Sequence, residues 1–145
     1  MKILWTDGSA EPNPGPGGFA VIEETLEGGR PVALGCDKNT TNIRMEGKAL
    51  IAAIKYAGGE SCEIHSDSEF WINVLTKWAP SWERRNWTKS KGEIKNLDIV
   101  KELYKLYCDN DVDLVWVRGH MGTELNELAD EWANRARKGE KLPEM

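Results

Sequence analysis

Three runs of strand-forming residues follow one another between Lys2 and Asp37, and the links between them are too short for a crossover. The first run is Lys2-Ile3-Leu4-Trp5-Thr6-Asp7-Gly8-Ser9, apolar until it reaches a carboxylate and a turn-forming Gly-Ser pair. Gly18 to Thr25 is the second, and Pro31 to Asp37 the third. Between the first two lies Glu11-Pro12-Asn13-Pro14-Gly15-Pro16-Gly17-Gly18, which no helix accommodates. Leu26 to Arg30, with Gly28-Gly29, reads as a hairpin turn. Three such strands form an antiparallel meander.

Two later strands have a different setting. Glu60–Ser66 follows a helix that starts near Thr40-Thr41-Asn42, carries Met45, Ala49, Ala52, Ala53 and Tyr56 at helical spacing, and stops at Gly58-Gly59. Val112–Val117 follows the amphipathic stretch Leu97–Cys108. A strand after a helix, twice over, implies parallel additions through right-handed crossovers. The expected fold is therefore α/β, with a five-stranded mixed sheet (three antiparallel strands plus two parallel) flanked by helices. A helix through Phe70, Trp71, Val74, Leu75 and Trp78 is expected to end at Pro80. The last helix turns Leu128, Ala129, Trp132, Ala133 and Ala136 inward, and residues 139–145 read as a short mobile tail. At 145 residues the chain suits a single core.

Acids recur where these elements begin or end. Asp7 and Asp67 each close a strand, Glu46 is expected in the first turn of a helix, and Asp130 sits in the N-terminal half of the last helix. Each has a structural reading of its own. Asp before Gly favours a turn, Asp67 can cap the next helix, and Glu46 can answer a helix dipole. Taken together, four carboxylates of this kind suit hard divalent cations, which prefer oxygen ligands.

The formal net charge of −5 argues mildly against a nucleic-acid partner. That mean hides an asymmetry. Residues 77–95 hold Lys77, Arg84, Arg85, Lys89, Lys91 and Lys95 against Glu83 and Glu93, a local excess of four positive charges. Trp78, Trp82 and Trp87 are interleaved with them. Cations for phosphates and flat rings for sugars or bases suit a nucleic-acid backbone, although a solvated helix with core tryptophans has the same composition. His120 lies in the glycine-flanked loop Arg118-Gly119-His120-Met121-Gly122-Thr123 and can titrate near neutrality. His65, in mid-strand, reads as a packed side chain. Cys36, Cys62 and Cys108 fit neither a disulfide framework nor a zinc spacing, so reduced, buried thiols in the cytoplasm are expected. No segment has the length of a membrane span.

The sequence resembles the ribonuclease H family, in particular its cellular type 1 form. The matching pieces are Thr6-Asp7-Gly8-Ser9, Asn13-Pro14-Gly15, Thr41-Asn42-Ile43-Arg44-Met45-Glu46, Ser66-Asp67-Ser68, Trp116-Val117-Arg118-Gly119-His120, and Asn126-Glu127 leading to Asp130. Each is modest, but their order and spacing are specific. The resemblance implies a ribonuclease H-like fold over residues 1–138 and a monomer. It also implies endonucleolytic hydrolysis of the RNA strand of RNA–DNA hybrids, leaving 5′-phosphate and 3′-hydroxyl ends. Asp7, Glu46, Asp67 and Asp130 become the metal-binding carboxylates, with His120 as an auxiliary catalytic group. Two Mg²⁺ ions about 4 Å apart, with Mn²⁺ as a substitute, both activate a nucleophile and neutralise the leaving oxygen. The hybrid is expected along Asn13, Gly15, Thr41, Asn42, Ser68, Glu69 and Asn126, with its DNA strand along Trp78, Trp82, Arg84, Arg85 and Lys89. Two positions depart from the family pattern: Ile43 stands where a second Asn is common, and Glu69 where Gln is common.

Two other functions share parts of this pattern. A non-catalytic hybrid-binding module predicts loss of at least one metal acid, and none is lost. A 3′→5′ exonuclease usually carries Asp-x-Glu on the first strand, whereas Asp7 is followed by Gly8-Ser9.

Overall fold

The computed structural model describes residues 1–89, 92–118 and 124–142. His120 and Lys91 lie outside the described residues, as do residues 143–145 of the expected tail. The elements run β1 (Lys2–Ala10), β2 (Gly15–Thr25), β3 (Gly28–Thr40), α1 (Asn42–Ala57), β4 (Cys62–Ser66), α2 (Glu69–Asn73), a π-helical turn (Val74–Trp78), α3 (Ala79–Arg84), α4 (Leu97–Asp109), β5 (Val112–Trp116) and α5 (Glu124–Arg137).

The five strands form one sheet in the order β3-β2-β1-β4-β5. β1 pairs antiparallel with β2, and β2 with β3; β4 adds parallel to β1, and β5 parallel to β4. The expected mixed sheet is thus observed, with longer β2 and β3 ribbons than the apolar runs alone suggested. Alternation along β1 divides the core. Leu4, with Val21 and Ile64, faces the larger cluster under α1 and α4, while Trp5 and Ile22 join Ala129 of α5 on the other side. Leu4 and Ile22 are both fully buried, each worth roughly 1.5–3 kcal/mol of transfer free energy.

Helix α1 forms as its signals indicate. The Thr41 hydroxyl accepts the Arg44 N–H, and Gly58 closes the helix in the left-handed region at φ 60°. Met45, Ala49, Leu50, Ala53, Ile54 and Ala57 make its buried face. Gly47 is on that face because a Cβ there would meet the Trp71 ring at 2.6 Å.

Pro80 does not end its helix. The turn before it widens, so that the Ala79 N–H reaches the Val74 carbonyl, and Pro80 falls in the first turn of α3. An N–H is dispensable there, so the helical path continues to Arg84. The chain then turns through Asn86 and Trp87, both left-handed at φ 56° and 63°. Trp87 folds back to pack edge-on against Tyr104, ring centroids 6.0 Å apart.

Two of the three thiols are exposed, contrary to the expected burial. Cys62 is buried, but Cys36 lies on the edge strand β3 and Cys108 on the solvent side of α4. All three are free. His65 is packed, stacked on Trp5 at 4.1 Å and bonded to Glu63 at 2.8 Å. Among the described residues, no helix is long and apolar enough to cross a membrane.

Candidate active site

The central strand β1 delivers Asp7. Its neighbour β4 stops at Ser66, so Asp67 emerges beside it in the turn into α2. The Ser66 hydroxyl accepts the Ser68 N–H, and the Asp67 carbonyl accepts the Glu69 N–H at 3.1 Å, which fixes that turn. Glu46 comes from α1 and Asp130 from the middle of α5.

Glu46 is not in the first turn of its helix; that turn holds no acid. The dipole explanation for this residue therefore loses its ground, because the effect fades within one turn. What holds Glu46 near Asp7 is the absence of a side chain at Gly8. A Cβ on Gly8 would lie 2.5 Å from the Glu46 backbone nitrogen, so only glycine lets α1 approach β1 this closely.

One oxygen from each of Asp7, Glu46 and Asp67 lies within 4.8 Å of the others. Asp130 stands outside that group of three, with its carboxyl close enough to Asp7 to interact with it. Asp7 is 8% exposed, and its Oδ1 accepts the Gly8 N–H at 2.9 Å. Burial, followed by the charges of Asp67 and Asp130, pushes the Asp7 carboxyl up to about 9. Burial and Asp67 push Glu46 up to about 7, against a hydrogen bond from Ser68 that lowers it. A group of acids, one buried and the others partly so, that repel one another in this way is a site prepared for positive charge, and oxygen-only donors suit a hard divalent ion.

The remaining expected site residues are placed as follows. Asn42 accepts the Ala10 N–H on its Oδ1 at 2.6 Å and donates its own N–H to Asn13 Oδ1 at 3.1 Å. These two asparagines tie the β1–β2 connection to the start of α1. Gly15 lies against Pro12, where a Cβ would come 2.5 Å from the Pro12 carbonyl oxygen. Thr41 caps α1 and Ser68 caps α2, while Glu69 is exposed in the first turn of α2. Asn126, at 6% exposure, offers little surface. Trp78 is 40% exposed and stands between Phe70 and Trp82, at 6.0 and 6.2 Å. Arg84, Arg85 and Lys89 are exposed beyond it. The acids and this aromatic-basic segment are therefore separate surfaces, joined by α2.

Three supporting contacts were not legible in the sequence. The Trp71 indole N–H donates to the Ile43 carbonyl at 2.7 Å, clamping α2 to the start of α1. Arg44 makes paired bonds to Asp98 at 2.8 and 3.1 Å, and a third to Asn96. Ser9 donates to Asn134 at 3.4 Å, one rung beyond Asp7 and Asp130. For this last contact, position 9 is i+2 from Asp7 on a strand and 134 is i+4 from Asp130 on a helix, which becomes a signal only once β1 and α5 are known to be neighbours.

The RNase H family model matches residues 1–138. Ribonuclease H of Granulibacter bethesdensis is 41% identical over 137 residues, spanning 92% of this chain and 90% of that one. Ribonuclease H of Gluconobacter oxydans is 38% identical over the same shares of the two chains. Among solved structures, LC9-RNase H1, a type 1 RNase H with the type 2 active-site motif, superimposes with a TM-score of 0.76 at 24% identity, covering 98% of this chain and 75% of that one. The foamy viral protease-reverse transcriptase in complex with RNA/DNA hybrid gives 0.77 at 19% identity, over 94% of this chain and 20% of that one. At those identities the structural likeness concerns the fold.

Proposed function

We propose, on the premise that this chain belongs to the ribonuclease H family, that it is a divalent-metal-dependent endonuclease cutting the RNA strand of RNA–DNA hybrids. The observation that carries this reading is the convergence of Asp7, Glu46 and Asp67 within 4.8 Å, with Asp130 close enough to Asp7 to interact with it. A binding module has no use for converging, mutually repelling acids. The catalytic unit is assigned to residues 1–138 and is taken to act as a cytoplasmic monomer.

Mg²⁺, with Mn²⁺ as a substitute, supplies a nucleophile at neutral pH and offsets charge on the leaving oxygen when two ions are bound. Asp7, whose carboxyl feels the charges of both Asp67 and Asp130, would be a ligand common to both ions. Asp130 would help hold the ion that serves the nucleophile, and Glu46 with Asp67 the ion that serves the leaving group. Ser68 holds Glu46 by its hydroxyl while capping α2, so the carboxylate is oriented before substrate arrives. His120 is assigned proton transfer or product release, on the family resemblance alone. The products are a 5′-phosphate and a 3′-hydroxyl.

RNA is told from DNA through 2′-hydroxyls across a wide minor groove. Asn13, Gly15, Thr41, Asn42, Ser68, Glu69 and Asn126 are assigned to that groove. The DNA strand is assigned to Trp78, Trp82, Arg84, Arg85 and Lys89, where an exposed ring stands beside cations.

A circular RNA strand annealed to DNA tests the endonuclease reading. Linear fragments in Mg²⁺ are expected. A circle that stays intact while linear hybrids are shortened from one end would make the protein an exonuclease.

A further inference from the structure

A polar seam runs from the acid cluster along β1 and α5. Its rungs are Asp7 with Asp130, then Ser9 with Asn134 at 3.4 Å, then Glu11 with Arg137 at 3.6 Å. Asp7 and Ser9 share one face of β1, and Asp130, Asn134 and Arg137 stand at i, i+4 and i+7 on α5. Gly18 permits the close approach: a Cβ there would meet the Ala133 carbonyl oxygen at 2.6 Å.

The seam opens into a cavity of about 550 Å³ lined in part by Cys36, Asp37, Lys38, Arg137 and Lys138. Three of these five are cations. Two acids stand at the groove: Asp37, engaged by Lys48 at 3.5 Å, and Glu11, largely exposed and paired with Arg137 at 3.6 Å. The Arg137 Nε is buried, with no hydrogen-bond partner among the described residues, and a terminal nitrogen of the same guanidinium reaches Asn134 Oδ1 at 3.5 Å. With Lys38 and Lys138 beside it, this guanidinium gives the groove an excess of positive charge suited to a bound anion. From Asp130 to Arg137 is seven residues, about 10 Å of helix. That is about three nucleotides at the roughly 3.4 Å axial rise of a duplex strand.

We propose that the groove between the end of α5 and β3, lined by Lys38, Arg137 and Lys138, holds a backbone phosphate of the RNA strand about three nucleotides from the bond that is cut. This rests on the reading of the chain as a hybrid nuclease. The groove lies beyond the acid cluster from the Trp78–Lys89 segment, which is assigned to the DNA strand. The hybrid is then held at both ends of its footprint, and the cut register is fixed by two anchors rather than one.

Lys38 and Lys138 are exposed, so their replacement leaves the core untouched. The test compares the unaltered protein with Lys38→Ala/Lys138→Ala for binding to an RNA–DNA hybrid in Ca²⁺, across a salt series. The double variant is expected to bind roughly 5–10-fold more weakly near 0.1 M salt, with the log–log salt slope reduced by about 1–2. In the unaltered protein, bound hybrid is expected to slow alkylation of exposed Cys36 and not of exposed Cys108 on the far side of α4. Unchanged affinity and slope in the double variant overturn the proposal, as does a Cys36 alkylated at the free-protein rate under bound hybrid. Either result leaves the nuclease reading standing. Failure of the unaltered protein to bind hybrid at all would instead overturn that reading, and this groove with it.

Discussion

Gly8 and Glu46 lie so close that a single added carbon on Gly8 would sit 2.5 Å from the Glu46 backbone nitrogen. The strand that carries one acid and the helix that carries another are in backbone contact at the site itself. The spacing of Asp7 and Glu46 is therefore set by main chain, not by the rotamers of long side chains.

Gly8→Ala should displace the start of α1 and separate the two carboxylates. Overpacking of this kind costs about 1–3 kcal/mol. Denaturant unfolding should show that loss, and hybrid cleavage should fall at least 10-fold more than Ala10→Gly, a nearby change without the clash, makes it fall. Full activity in Gly8→Ala would mean that α1 is free to shift without disturbing the site.

The raised carboxyls give metal binding a pH dependence. Asp7, pushed up to about 9, and Glu46, pushed up to about 7, hold protons that a cation must expel. Mg²⁺ affinity should therefore rise between pH 6 and 9, with proton release on binding. Calorimetry in two buffers of different ionisation enthalpy measures that release. Binding independent of pH and buffer would contradict the electrostatic account of the cluster.

Stability of the metal-free protein should run the other way. The folded state keeps a proton on Asp7 between about 4 and about 9, where the unfolded chain has lost it. Unfolding free energy should accordingly fall as pH rises through that window. Asp7→Asn removes the cost of ionising a buried acid. It should be on the order of 1–3 kcal/mol more stable than the parent at pH 8 without metal, while cleaving no hybrid. A destabilised Asp7→Asn would show that the carboxylate has a structural role. Retained cleavage would remove it from the ligand set.

Much of this arrangement was legible in the sequence. Runs of strand-forming residues joined by short links and two helix-to-strand crossovers led to the mixed sheet, and the ends of the first and fourth strands led to Asp7 and Asp67. What escaped depended on contacts between distant residues or on small helical irregularities. Pro80 reads as a stop unless the preceding turn is known to widen between Val74 and Ala79. Cys36 reads as a buried thiol unless β3 is known to be an edge strand. The Ser9–Asn134 bond joins residues 125 apart in sequence, and no local pattern specifies it until β1 and α5 are known to be neighbours.

The aromatic-basic segment has its own test. Arg84→Ala with Arg85→Ala removes two exposed cations beside Trp82 and leaves Trp71 and its bond to Ile43 intact. Hybrid binding should weaken and its salt slope should fall by about 1–2. The cleavage rate at saturating hybrid should stay unchanged. An unaltered slope would detach this segment from the substrate.

The most direct measurement is cleavage of an end-labelled RNA–DNA hybrid in Mg²⁺, alongside single-stranded RNA, double-stranded RNA and double-stranded DNA of the same sequence. The account predicts internal cuts in the RNA strand of the hybrid alone, abolished by EDTA. A hybrid that is bound but left intact in both Mg²⁺ and Mn²⁺ would contradict it.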